Sequence, residues 1–171
     1  MNIKVILVVL GEPNSIFSEL LFKYFSSSKF KKNKKKIILI GCKKLIENQM
    51  KYLGYKVKLN EINNINTAKT KHINILNIDY KFKKIFTKIS SSSNEYIEKC
   101  FTVSINILKN SKHIGLINGP VSKKHFLKKT FPGVTEYISK KINTKNPVML
   151  IYNKKLSVCP LSTHIPLKNV T

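Results

Sequence analysis

The sequence predicts an α/β fold, a mainly parallel sheet flanked by helices. Two observations carry this reading. Apolar runs of strand length alternate with segments of helical period, the pattern of βαβ units. Three turn-forming loops rich in Gly, Pro, Asn and Ser stand where predicted strands end, which is where open α/β sheets place their ligand sites. At 171 residues the chain has the length of one ordinary domain, and its 42% hydrophobic content is enough for a packed core. No internal repeat and no linker divides it.

The first strand is expected over Ile3 to Leu10, an apolar run too short to span a bilayer and followed directly by Gly11-Glu12-Pro13 without a small-residue cleavage site. A helix follows with Ile16, Phe17, Leu20, Leu21, Tyr24 and Phe25 at i, i+3/i+4 spacing, predicted to face the core. Lys29 to Lys36 reads as a solvated loop. Residues Lys36 to Gly41 form a second buried strand, and Lys43 to Leu53 a helix closed by Gly54 in its C-terminal cap. Tyr55 to Ile62 is the third strand. Asn63 to Lys88 is irregular apart from a strand at Ile73 to Ile78. Ser90 to Ser93 supplies capping candidates for a helix over Asn94 to Lys109, with Ile97, Phe101, Ile105 and Leu108 on one stripe. His113 to Ile117 is a short strand leading to Asn118-Gly119-Pro120, a Lys-rich helical segment, and a further helix opened by the segment Phe131 to Tyr137. Pro147 to Tyr152 and Leu156 to Leu161 read as a strand pair around Asn153-Lys154-Lys155.

The formal charge of +24 raises nucleic-acid binding, because clustered cations release counterions from phosphate backbones. All 32 basic residues are Lys, however, and Arg is the residue that contacts phosphate and guanine through two parallel bonds. Lysine, isoleucine and asparagine dominate together, the bias an A/T-rich genome imposes on surface positions, so the charge reads as diffuse and argues against nucleic acid as partner. Lysines interrupt every later apolar run, which predicts a cytoplasmic protein without membrane contact. Cys42, Cys100 and Cys159 match neither a disulfide framework nor a zinc motif and read as reduced core thiols.

The three loops are Gly11 to Ser15, Asn118 to Lys123 and Ser162 to Leu167. Singly, each has an ordinary explanation: Gly-Pro and Gly-Glu-Pro are common turns, and one His is more often a satisfied polar group than a ligand. Taken in order, the segments GEP, NGPVSK, FPGVTEY and THIPL resemble the N-terminal half of the 4-hydroxythreonine-4-phosphate dehydrogenases, with specificity carried by FPGVTEY and THIPL. The resemblance covers essentially the whole chain. It implies a fold like isocitrate and isopropylmalate dehydrogenases, in proteins roughly twice this length, so that residues 1–171 are expected to be the N-terminal part of such an enzyme with the C-terminal half absent.

The resemblance also implies a function. Family members oxidise 4-phosphohydroxy-L-threonine, with decarboxylation, to 3-amino-2-oxopropyl phosphate in pyridoxal 5'-phosphate (vitamin B6) biosynthesis. They use NAD or NADP and a divalent metal such as Zn, Mg or Co, in a homodimer whose active site lies at the subunit interface. His164 matches the first of three metal-binding histidines, the others belonging to the missing half. Thr135 matches a threonine that binds substrate near its phosphate, a task suited to a hydroxyl and free N–H groups at a helix start. Val134 stands where most of the family has a substrate-contacting His, a group it cannot replace in hydrogen bonding or proton transfer. The first loop departs as well, with Asn14 to Glu19 in place of a Gly-rich AGIGPE. Another phosphorylated hydroxy acid therefore stays open as substrate. His72 and His125 lie in Lys-rich surroundings that do not favour metal ligation, and with one ligand out of three the fragment is expected to be inactive alone. Neither catalytic nor cofactor-binding residues are assigned. The alternatives from other classes are a small Lys-rich nucleic-acid-binding module and a degenerate remnant kept as a structural partner.

Overall fold

The structure, a computed structural model, describes residues 3–111, 113–128, 130–144 and 147–160. It comprises two compact units, Met1–Phe126 and Leu127–Thr171.

The first unit is built on a five-stranded, wholly parallel sheet. Its strands are β1 (Val5–Val9), β2 (Lys36–Gly41), β3 (Leu59–Glu61), β4 (Ile73–Asn77) and β5 (Ile114–Asn118), in the order β3-β4-β2-β1-β5. The central strands are continuous apolar runs because helices cover them on both faces; Leu7, Val9, Ile38, Ile40 and Ile75 have no exposed surface. On one face Val8, Leu10, Ile37, Leu39, Ile73 and Ile75 pack with side chains of α1 (Phe17–Phe25), α2 (Ser28–Lys31) and α3 (Lys43–Tyr52). Alternation along each strand sends the intervening residues to the other face. There α4 (Asn94–Lys109) lies against β1, β2 and β5, burying Ile97, Phe101 and Ile105 as predicted. The parallel sheet with flanking helices is the fold class expected.

The helix ends follow from local chemistry. Gly54 takes φ +73° past the end of α3, and its N–H and that of Tyr55 donate to Lys51 O and Met50 O at 3.2 and 3.0 Å. Both bonds of a Schellman motif are thus made, and only Gly adopts that φ at little cost.

Five expectations need correction. The buried line of α1 is Ser18, Phe22 and Phe25, while Ile16, Leu20 and Tyr24 are exposed at 70%, 54% and 36%. The apolar residues of the helix spread over more than half its circumference, so spacing alone does not locate its inner face. Lys29 to Lys36 is partly helical, because Ser27 Oγ accepts from Phe30 N at 3.4 Å and Phe30 anchors the turn in the core. The Lys-rich segment after Pro120 is a series of turns rather than a helix, and the third strand shrinks to three residues. Cys159 is exposed, whereas Cys42 and Cys100 are the expected buried thiols.

The second unit contains α5 (Val134–Ile142) and a hairpin of β6 (Ile151–Tyr152) and β7 (Ser157–Val158) around the turn at Asn153, as predicted though shorter. Among the described residues no helix is long and apolar enough to cross a membrane.

Candidate functional site

The order of strands places the site. From β1 the chain moves outward to β2 and its neighbours, then crosses back from β4 through α4 to β5 on the other flank of β1. The strand order reverses between β1 and β5, and such a switch point leaves a crevice beyond the C-terminal ends of the two strands. The loops Gly11 to Ser15 and Asn118 to Lys123 occupy that point. They meet backbone to backbone: Gly119 N donates to Val9 O at 2.7 Å and Glu12 N to Pro120 O at 2.8 Å. A Cβ on Gly119 would collide with Leu10 O, and one on Gly11, already at φ +69°, with Pro120 O. Both glycines are there because neither loop has room for a side chain. The convergence expected of the first two loops is therefore present.

Glu12 organises this junction. It is 3% exposed, and its partners among the described residues are dipoles rather than a cation. Ser93 Oγ donates to its Oε2 at 2.9 Å, and Asn14 N and Nδ2 donate to its Oε1 at 3.2 and 3.3 Å. Asn14 Oδ1 in turn accepts from Thr87 N and Oγ1 at 2.9 and 3.1 Å. Gln49 Nε2 donates to Pro13 O at 2.7 Å. The β1 loop is thereby tied to α3, to the segment before α4 and to the β5 loop. A buried carboxylate needs such donors, since stripping its water without replacement costs several kcal/mol. Behind the loop a void of about 10 Å³ borders Glu12, Ser18 and Gln49, space for a single water at most. Its inner side is packed, so any ligand is met by the outer side.

Beside the junction, Tyr96 Oη accepts from Cys42 N at 3.0 Å, and the ring stacks on Tyr80 with centroids 4.7 Å apart. Burial pushes the Tyr96 phenol well above its ordinary range and the Cys100 thiol up to about 12. Both are neutral at physiological pH and serve packing.

In the second unit α5 opens at Gly133, and Val134, Thr135 and Glu136 form its first turn. The N–H groups of a first helical turn have no acceptor within the helix, and the N-cap residue Gly133 has no side chain to accept from them. Thr135 therefore presents a hydroxyl beside these N–H groups, while Val134 next to it presents only methyl groups. Glu136 Oε2 is buried without a hydrogen-bond partner among the described residues. His164, the expected metal ligand, lies outside the described residues, as does the rest of the third loop. Among the described residues no group of three His, Cys, Asp or Glu could hold a metal. His72 sits before β4, at the opposite end of the sheet from the junction, and His125 follows the β5 loop, where its backbone N–H donates to Ser122 Oγ at 3.1 Å.

The family model described as pyridoxal phosphate biosynthetic protein PdxA matches residues 33–171. The chain belongs to this family. The 4-hydroxythreonine-4-phosphate dehydrogenase of Sulfurihydrogenibium sp. (strain YO3AOP1) is 30% identical over 168 residues, covering 95% of this chain and 50% of the relative. The D-threonate 4-phosphate dehydrogenase of Salmonella typhimurium is 23% identical over 175 residues, covering 98% and 53%. The crystal structure of a 4-hydroxythreonine-4-phosphate dehydrogenase from Burkholderia phymatum superimposes with a TM-score of 0.82 at 17% identity, over 97% of this chain and 52% of that one. That likeness is one of fold. The chain spans about half the length of the curated relatives it matches.

For a PdxA-family chain, the motifs GEP and NGPVSK are thus a single feature, the junction at the sheet's switch point. Thr87 was not singled out from the sequence, and Glu12 and Ser93 were named only as part of a turn and of a capping segment. One signal was present: Glu12 is among only eight acidic residues and stands in a strand-to-helix turn.

Proposed function

We infer that residues 1–171 form the N-terminal half of an NAD(P)- and metal-dependent dehydrogenase acting on a phosphorylated hydroxy acid, 4-phosphohydroxy-L-threonine in the first instance. The observation that carries the reading is the PdxA family match over residues 33–171, in a chain whose GEP and NGPVSK loops join at the switch point of a parallel sheet. Among the described residues no three His, Cys, Asp or Glu are grouped to hold a metal. His164 would be this half's ligand to a divalent metal, which would supply Lewis-acid polarisation of the substrate hydroxyl, and a nicotinamide would supply the hydride acceptor.

The chain's own residues do the binding. The first turn of α5 offers the Thr135 hydroxyl and the N–H donors of a helix start to a phosphate, an arrangement favourable for an anion. His164 is the one metal ligand this half contributes, and the fragment alone is inactive for want of the others. Val134 removes a hydrogen bond that a His would make to the substrate, which widens the substrate class to other phosphorylated hydroxy acids. The D-threonate 4-phosphate dehydrogenase relative supports that second reading.

The test uses a protein in which a family-type C-terminal half follows residue 171. Thr135→Ala should raise KM roughly tenfold, the loss of one charge-assisted hydrogen bond. Val134→His should alter KM for 4-phosphohydroxy-L-threonine while leaving Tm within about 2 °C. If Thr135→Ala leaves KM unchanged, the substrate assignment is wrong.

A further inference from the structure

The strongest unassigned feature lies at the other end of the sheet from the junction. An open cleft of about 520 Å³ runs along the N-terminal ends of β3 and β4. Its floor is apolar, made by Phe25, Phe30 and Ile73, and its rim carries Lys31, Lys58, Lys69, Lys71 and His72. No carboxylate lines it. By contrast, the cleft beside α3 includes Glu47, and the one beside α4 includes Asp79 and Glu95. Lys23, Lys43 and Lys99 are ion-paired with Glu19, Glu61 and Glu95, but none of the four cleft lysines is ion-paired among the described residues. Like charges around a half-enclosed space repel one another and raise the local concentration of anions.

The wall that holds these charges is built rather than loose. Asn74 is fully buried, yet its amide serves the turn in front of β4. Nδ2 donates to Lys69 O at 2.9 Å and to His72 O at 3.2 Å, and Oδ1 accepts from Lys69 N at 3.0 Å and Asn60 Nδ2 at 2.8 Å. Lys71 sits at the tip in the left-handed region, φ +63°, which L-residues with long side chains rarely adopt. His72 Nδ1–H donates to Thr70 O at 3.1 Å, which leaves Nε2 free. A diffuse, codon-driven scatter of lysines requires no such pinned turn.

We propose that this cleft binds an oligophosphate, a chain of two or three linked phosphates, carried either by a free ion or by a nucleotide. The site is independent of the dehydrogenase reading: it lies within residues 25–73 and uses none of the residues assigned there. The short, dense negative charge of a triphosphate suits several ammonium groups around one cleft.

Calorimetric titration of the 171-residue chain with tripolyphosphate at 0.15 M salt tests it. K58Q/K69Q/K71Q should weaken binding at least about tenfold, and K83Q/K84Q/K88Q, the same charge change on exposed lysines elsewhere, less than about twofold. Equal tripolyphosphate and ATP affinities assign the free ion; tighter ATP binding assigns the nucleotide. Equal loss in both variants, no binding at millimolar ligand, or tighter binding of a single-stranded oligonucleotide that both variants weaken alike would each overturn the proposal.

Discussion

Glu12 shows how one side chain can fix the ends of several elements. Removing the Ser93 hydroxyl leaves Oε2 buried with its donor gone, which costs about 1–3 kcal/mol, more than the net value of an ordinary hydrogen bond. Ser93→Ala should therefore lower Tm by several degrees, and a Tm equal to that of the parent chain would show that Glu12 is hydrated. Cys100 gives a pH-dependent counterpart. Its thiol is pushed by burial from an ordinary value near 9 up to about 12, so in the folded chain it keeps its proton where the unfolded chain loses it. Fewer protons bound in the unfolded state means that stability falls as pH rises, fully present below about 9 and lost towards 12. Thermal unfolding should show that loss above pH 9, and Cys100→Ala should flatten it. Such roles are only partly legible in a sequence. The buried Cys100 was expected because the cysteines match neither a disulfide framework nor a zinc motif. The Glu12 network was not, because its partners Ser93 and Thr87 lie far along the chain, with Thr87 73 residues beyond Asn14.

At the scale of elements, α1 separates periodicity from burial. Phe22 is 1% exposed and Leu20 54%, although both belong to the apolar run of the helix. Phe22→Ala should cost about 3–5 kcal/mol, as expected for a large core side chain that leaves a cavity, and Leu20→Ala within about 0.5 kcal/mol. Urea unfolding of the two variants checks this; equal costs would place the buried line wrongly. The strands were the most legible elements, because β1 and β2 are unbroken apolar runs and continuous burial leaves little ambiguity. The segment after Pro120 was misread as helix since its lysines have good helix propensity, yet it has little apolar stripe to bury. The hairpin in the second unit was legible as strands but not in its exposure. Val148, Leu150, Ile151, Tyr152 and Leu156 are each more than half exposed, an apolar concentration a two-stranded ribbon cannot bury by itself.

For the whole molecule, charge and length point in different directions. The +24 charge suggests a nucleic-acid partner, but the fold is that of a metabolic enzyme family, and the lysines are distributed over surfaces of both units. Family membership was legible from four short segments in order, two of which the structure joins at the switch point. His164, the metal ligand that the resemblance implies, lies outside the described residues. The account's central claim is that this chain supplies half of a dehydrogenase site. Its most direct test is NAD(P)H formation from 4-phosphohydroxy-L-threonine, NAD(P) and divalent metal, comparing residues 1–171 alone, the same chain joined to a family-type C-terminal half, and the joined protein carrying His164→Ala. The account predicts no turnover from residues 1–171, turnover from the joined protein, and at least roughly a hundredfold loss on His164→Ala, as expected when a metal ligand is removed. Turnover by residues 1–171 alone, or an undiminished rate in the His164→Ala protein, would contradict it.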